Sequence, residues 1–86
     1  MFTTWAQIAL MTHLPIHITP DRWIVQLFNA KSVAEGGIIR RKVMDVERLI
    51  GRQRFLYEVR RRGFHAVENS GQFIIFCNQD PINVLC

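Results

Sequence analysis

Acidic residues are scarce in this chain: seven Asp and Glu stand against eleven Lys and Arg, and the first twenty positions hold none of the four. Cysteine is scarcer still. Cys77 and Cys86 are the only two, too few for the disulfide framework of a small secreted domain, so a reducing cytoplasm is the expected setting. Long apolar runs are missing as well. The stretch from Trp5 to Leu14 is interrupted by Gln7, Thr12 and His13 and stopped by Pro15, far short of the roughly 20 residues a membrane span needs. No basic lead-in or small-residue cleavage site marks a secretory signal.

The motifs of catalysis are absent too. His13, His17, His65, Cys77 and Cys86 lack the tight pairwise spacing by which zinc sites announce themselves. No Ser or Cys has a visible base partner. Gly36-Gly37 ahead of Ile-Ile-Arg-Arg lacks the lysine and spacing of a phosphate-binding P-loop. No catalytic residue, metal or cofactor is therefore expected, and the chain reads as a binding protein, not an enzyme.

What is present is a hydrophobic complement of 49% with 21% charged residues, a globular composition and not a disordered one. A chain of 86 residues makes one domain that buries only about 60% of its unfolded surface. Residues 1–21 read as an N-terminal arm. Its Thr4-Trp5-Ala6-Gln7 fits a capping box for a short helix over about 5–12, and Pro15 and Pro20 leave 13–18 extended. Residues 22–86 read as a single α+β domain.

Within that domain, Trp23 to Phe28 is β-branched and aromatic on both faces except at Gln26, which predicts a central strand over 22–28. Residues 29–35 allow one helical turn capped by Asn29 or Ser32, broken by Gly36-Gly37. Residues 38–42 fit either a strand or the lead-in to the next helix. From there to Arg62 the helical pattern must bend. Counted at about 100° per residue, Leu49 and Ile50 fall on the side of Val46, whereas Phe55 and Val59 fall roughly half a turn away. One straight helix cannot bury both sets, so Gly51 is expected to separate a helix over 44–50 from one over 52–62. Gly63 is placed for a left-handed C-cap. Strands over 64–68 and 72–77, joined by Asn69-Ser70-Gly71, make a hairpin, and 82–86 is a candidate edge strand. The expected fold is a small, mainly antiparallel sheet packed by two or three short helices, with a helix-turn-helix running into the hairpin.

The charge is local. Residues 36–63 hold nine of the eleven Lys and Arg against Asp45, Glu47 and Glu58. Arginine outnumbers lysine nine to two, which suits planar, bidentate contact with phosphate or carboxylate. Arg60-Arg61-Arg62 at a helix C-terminus also complements the helix dipole without any ligand. Nucleic-acid binding or regulation through the Arg-rich helix is the expected function; Arg40, Arg41, Lys42, Arg52, Arg54 and Arg61 are the candidate nucleic-acid contacts, Arg54 and Arg61 because they project away from Phe55, Leu56 and Val59. A basic second helix followed by a hairpin is the order of a winged helix-turn-helix. The alternative, a hairpin that belongs to the core sheet, is favoured by Phe73-Ile74-Ile75-Phe76 and by the lack of Lys or Arg between 64 and 78. DNA or RNA, an acidic protein, or a second copy of the chain are the partners this surface suits.

Two resemblances arise here. Arg62-Gly63-Phe64 leading through Glu68-Asn69-Ser70-Gly71 to Phe76 is similar in layout to HicA-type mRNA interferases, whose second strand carries a catalytic Gly-Ser-His. The corresponding positions are Gly71, Gln72 and Phe73, so the resemblance implies an RNA-binding-like scaffold without the nuclease histidine. The wider pattern of Val46-Glu47-Arg48, Gly51-Arg52, Arg54-Phe55, Glu58-Val59, Arg62-Gly63-Phe64-His65, Glu68, Gly71-Gln72-Phe73 and Cys77-Asn78 resembles short bacterial proteins labelled phosphoribosylanthranilate isomerase. That enzyme is a (β/α)₈ barrel of about 200 or more residues, so the resemblance brings no isomerase activity or catalytic residue to this chain.

Overall fold

The computed structural model describes residues 18–86, and among these Thr19-Pro20-Asp21 opens the first helix. The Thr19 hydroxyl accepts from the Arg22 amide at 3.1 Å, Pro20 occupies the first turn and Asp21 sits at the positive end of the helix dipole, three signals that start a helix. Helix α1 spans Pro20–Phe28. The strand expected over 22–28 is thus a helix. Its apolar residues Trp23, Ile24 and Leu27 recur at helical spacing and are buried, while Val25 and Gln26 are exposed; that period and the cap outweigh the β-branched composition. The helix expected over 5–12 and nearly all of the extended stretch after it lie outside the described residues.

A single turn, α2 (Lys31–Ala34), is capped at Ala30 without a side-chain hydrogen bond, so neither Asn29 nor Ser32 serves as its cap. Strand β1 (Ile38–Lys42) resolves the ambiguous stretch, and α3 (Val43–Leu49) follows it at once. Gly51 separates α3 from α4 (Arg52–Arg61) at φ 86° and ψ 150°, backbone values close to glycine's own territory. The two helices are distinct, as the opposed apolar faces require. Helix α4 ends in a Schellman motif, with the Gly63 amide donating to the Arg60 carbonyl at 2.9 Å and the Phe64 amide to that of Val59 at 3.1 Å.

Strands β2 (His65–Asn69) and β3 (Gln72–Phe76) pair through Asn69 and Gln72 across the two-residue turn Ser70-Gly71. Both turn residues have positive φ, 51° and 74°, the requirement of a type I′ hairpin. Strand β3 also pairs antiparallel with β1, so the sheet order is β1-β3-β2. The hairpin is therefore core sheet and not a projecting wing. No strand forms over 82–86. After Pro81 this segment is exposed, with Val84 and Leu85 more than four-fifths so, and β1 takes the sheet edge that it was expected to fill.

Among the described residues, the helices pack on one face of the sheet. Trp23, Ile24 and Leu27 from α1, Val46 from α3 and Phe55 and Val59 from α4 meet Ile39, Phe73 and Ile75 there. Phe55 and Phe73 stack with ring centroids 4.9 Å apart, an arrangement worth about 0.5–1.5 kcal/mol beyond the area buried.

Candidate functional site

Strand alternation sorts the sheet into two faces. Ile39 and Arg41 of β1, Phe73 and Ile75 of β3, and Ala66 and Glu68 of β2 share the helix side. The other face consists of three rungs: Ile38, Phe76 and His65; Arg40, Ile74 and Val67; Lys42, Gln72 and Asn69. Ile38, Val67, Ile74 and Phe76 belong neither to the core nor to the half-buried side chains packed against it. Among the described residues no helix packs on this open face; it carries the half-buried Ile74 and Phe76 at its centre, two exposed cations along its β1 edge, and no carboxylate.

The carboxylates are elsewhere, and each choice of partner matters. All eleven Lys and Arg lie within the described residues, and six of them contact an acid. Lys31 meets Glu35 at 3.8 Å and Arg48 meets Asp45 at 3.0 Å. Arg52 bridges Glu47, at 3.2 Å, and Glu68, with its guanidinium 5.1 Å from the centre of the Phe73 ring. Arg54 pairs with Asp21 of α1. Glu58 takes both Arg62, at 2.6 Å, and Arg61, at 3.3 Å, and Arg62 also lies 4.0 Å over the Phe28 ring. Among the described residues the five cations left without an acidic partner are Arg22, Arg40, Arg41, Lys42 and Arg60.

The six predicted contact residues therefore divide in two. Arg52, Arg54 and Arg61 stand on α4 in ion pairs; the scarcity of local acids concealed partners supplied by α1 and β2. Hydrogen bonds to Glu68 and then Glu47 raise the affinity of Arg52 for its proton, and the bond to Asp21 does the same for Arg54. Arg40, Arg41 and Lys42 form the other group, three consecutive cations on an edge strand. Arg40 and Lys42 are exposed on the open face, and Arg41 is half-buried on the helix side.

Glu58 is the one buried charged residue among those described. The Arg62 hydrogen bond, helped by that of Arg61 and opposed by burial, holds its carboxyl below the ordinary carboxylate range. The Cys77 thiol is buried, pushed up by that burial, and Cys86 is exposed; neither is in a disulfide. His65 Nε2 is enclosed and has no hydrogen-bond partner among the described residues. Among the described residues no group of three or more His, Cys, Asp or Glu is placed to hold a metal ion, and no helix is long and apolar enough to cross a membrane. A cleft of about 540 Å³ lies between α4, β2 and the C-terminal segment, lined mainly by apolar side chains such as Leu56, Phe64 and Ile82, with Arg60 at its wall. Comparison of the chain with family models, with curated proteins and with solved structures finds no match.

Proposed function

We propose that this is a small, cytoplasmic, non-enzymatic protein that binds nucleic acid through the phosphates, with strand β1 as the principal contact. The observation that carries the reading is the run Arg40-Arg41-Lys42, three adjacent cations that no carboxylate of the described chain neutralises. Unpaired cations on an exposed edge repel one another in the free protein and release that repulsion when a polyanion arrives, together with the counterions of the polyanion. Arginine in two of the three positions adds bidentate geometry toward phosphate oxygens.

The test is a salt titration of a fluorescent oligonucleotide. Each phosphate neutralised contributes about 0.7 to the slope of log K against log salt on a single strand and about 0.9 on a duplex. Replacing Arg40, Arg41 and Lys42 together by Gln is expected to lower that slope by up to about two units on a single strand. Absence of binding by the unaltered protein at low salt overturns the proposal.

A second reading, an accessory subunit that meets an acidic protein or its own copy, draws on the exposure of Val25, Met44, Val84 and Leu85, since apolar surface of this kind marks interfaces when it is contiguous. Light scattering at high micromolar concentration checks self-association directly, and a clean monomer removes that branch.

A further inference from the structure

We infer that the nucleic acid is a single strand lying along β1 on the open face of the sheet, its phosphates at Arg40 and Lys42 and its bases laid across Phe76, Ile74 and Val67. This rests on the nucleic-acid reading above and specifies which form of the polymer that reading requires.

The cations of the open face, Arg40 and Lys42, lie on the β1 edge, and its apolar side chains are Ile74 and Phe76 on the middle strand β3, Val67 on β2 and Ile38 at the start of β1. Arg40 and Lys42 are two residues apart on the same strand face, so their Cα atoms are separated by about 6.8 Å. From that edge to β2 is two strand spacings, about 9.6 Å. The polymer that complements such a surface must be charged along one side and must offer flat, weakly hydrated surface on the other. An unpaired strand has that character, because its backbone carries the charge and its bases present their rings. A duplex lacks it: its bases are closed in the stack, and its outer surface would set charged phosphates against Ile74 and Val67.

The aromatic ring of Phe76 supplies a stacking surface that tolerates any base. Gln72 and Asn69, on the rung with Lys42, offer amides that donate to and accept from base edges. The same layout counts against a second copy of the chain as the occupant. In a two-fold pairing of this face with itself, Arg40 and Lys42 would be buried against a surface that has no carboxylate, leaving charges desolvated and unpaired.

The test measures anisotropy of labelled oligo(U) and oligo(dT) at low salt beside a self-complementary duplex of equal length. Three variants of the full chain are compared: Phe76→Leu, which keeps apolar volume and removes the ring, and Val67→Glu and Val67→Lys, which alter an exposed position on the edge strand β2. Far-ultraviolet circular dichroism and thermal unfolding confirm that each is folded. The single strands are expected to bind about tenfold more tightly than the duplex. Phe76→Leu is expected to cost the single strands about five- to tenfold and to leave the duplex unchanged. Val67→Glu should weaken single-strand binding and Val67→Lys should strengthen it. Duplex binding as tight as single-strand binding, with the Phe76 and Val67 variants indifferent, overturns the inference while leaving phosphate binding by β1 intact. Failure of every oligonucleotide to bind instead overturns the phosphate reading itself.

Discussion

Strand β1 and helix α4 look alike as stretches of charge and differ in how much of that charge is available. The helix carries Arg52, Arg54, Arg60 and Arg61 with a single acid, Glu58; the strand carries Arg40, Arg41 and Lys42 with none. Three of the four helix arginines nevertheless contact carboxylates, two of them through partners distant in sequence: Asp21, 33 positions from Arg54, and Glu68, 16 positions from Arg52. None of the strand cations does. Such exposed ion pairs add little to stability, yet they cancel the local field, and a phosphate approaching α4 would have to displace an acid already in place. The lesson is that a count of like charges measures a footprint only after the fold has assigned their partners.

The comparison breaks most visibly if the two groups are deleted separately. Replacing Arg40, Arg41 and Lys42 by Gln is expected to weaken single-strand binding by on the order of a hundredfold at about 50 mM salt and to flatten the salt slope by about 1.4, since Arg40 and Lys42 make the contacts. Replacing Arg52, Arg54 and Arg61 by Gln should leave the slope within a few tenths and lower Tm by only a few degrees. If the helix variant is the one that loses the slope, the assignment of the contact to β1 is wrong.

A smaller effect concerns Glu58, which clamps the C-terminal end of α4. Glu58→Gln removes the charge that holds Arg61 and Arg62, and the expected cost is about 1–3 kcal/mol, since hydrogen bonds to charged groups are lost from a buried position. Calorimetry should show Tm lower by about 5–15 °C. The pH dependence has a definite sign. A carboxyl whose folded pKa lies below the ordinary 4.5 contributes stability that is complete above that value and is lost as pH falls through the folded pKa. The gap in Tm between the native protein and Glu58→Gln is therefore expected to close as the solution is acidified below about 4.5. A gap that stays constant down to strong acid would show that the Arg62 contact does not stabilise the carboxylate.

The elements that the sequence discloses are those fixed by local chemistry. The half-turn offset between Val46 and Phe55 demands a break, and Gly51 supplies it; Ser70-Gly71 dictates the turn; Gly63 closes α4. Residues 20–28 were legible in principle, because Thr19-Pro20-Asp21 is a helix start, but Trp23, Ile24 and Val25 imitate a strand when composition is weighed ahead of period. The sheet was harder. Pairing of β1 with β3 joins Ile38 to Phe76, and nothing local chooses that partner over the segment after Pro81. Of the candidate contacts, the cationic run on β1 could be read directly. The neutralisation of Arg52 and Arg54 could not, since it depends on which elements α4 is packed beside.

The smallest predicted effect is the one that separates neutralisation from position as the reason α4 is silent. Asp21 is exposed on the first turn of α1, and its contact with the half-exposed Arg54 holds that guanidinium in place. Asp21→Asn keeps the shape of the side chain and removes its charge. The helix loses a favourable dipole interaction, so Tm should fall by a few degrees at most. With the strand on the face of the sheet opposite the helices, Arg54 stays out of its reach even when released, and the salt slope for single-strand binding should change by no more than a few tenths. Adding Arg54→Gln to Asp21→Asn should likewise leave the slope unchanged. A slope that steepens by about 0.7 in Asp21→Asn and returns when Arg54→Gln is added would mean that the released guanidinium reaches the bound strand. Neutralisation, and not position, would then be what keeps α4 silent.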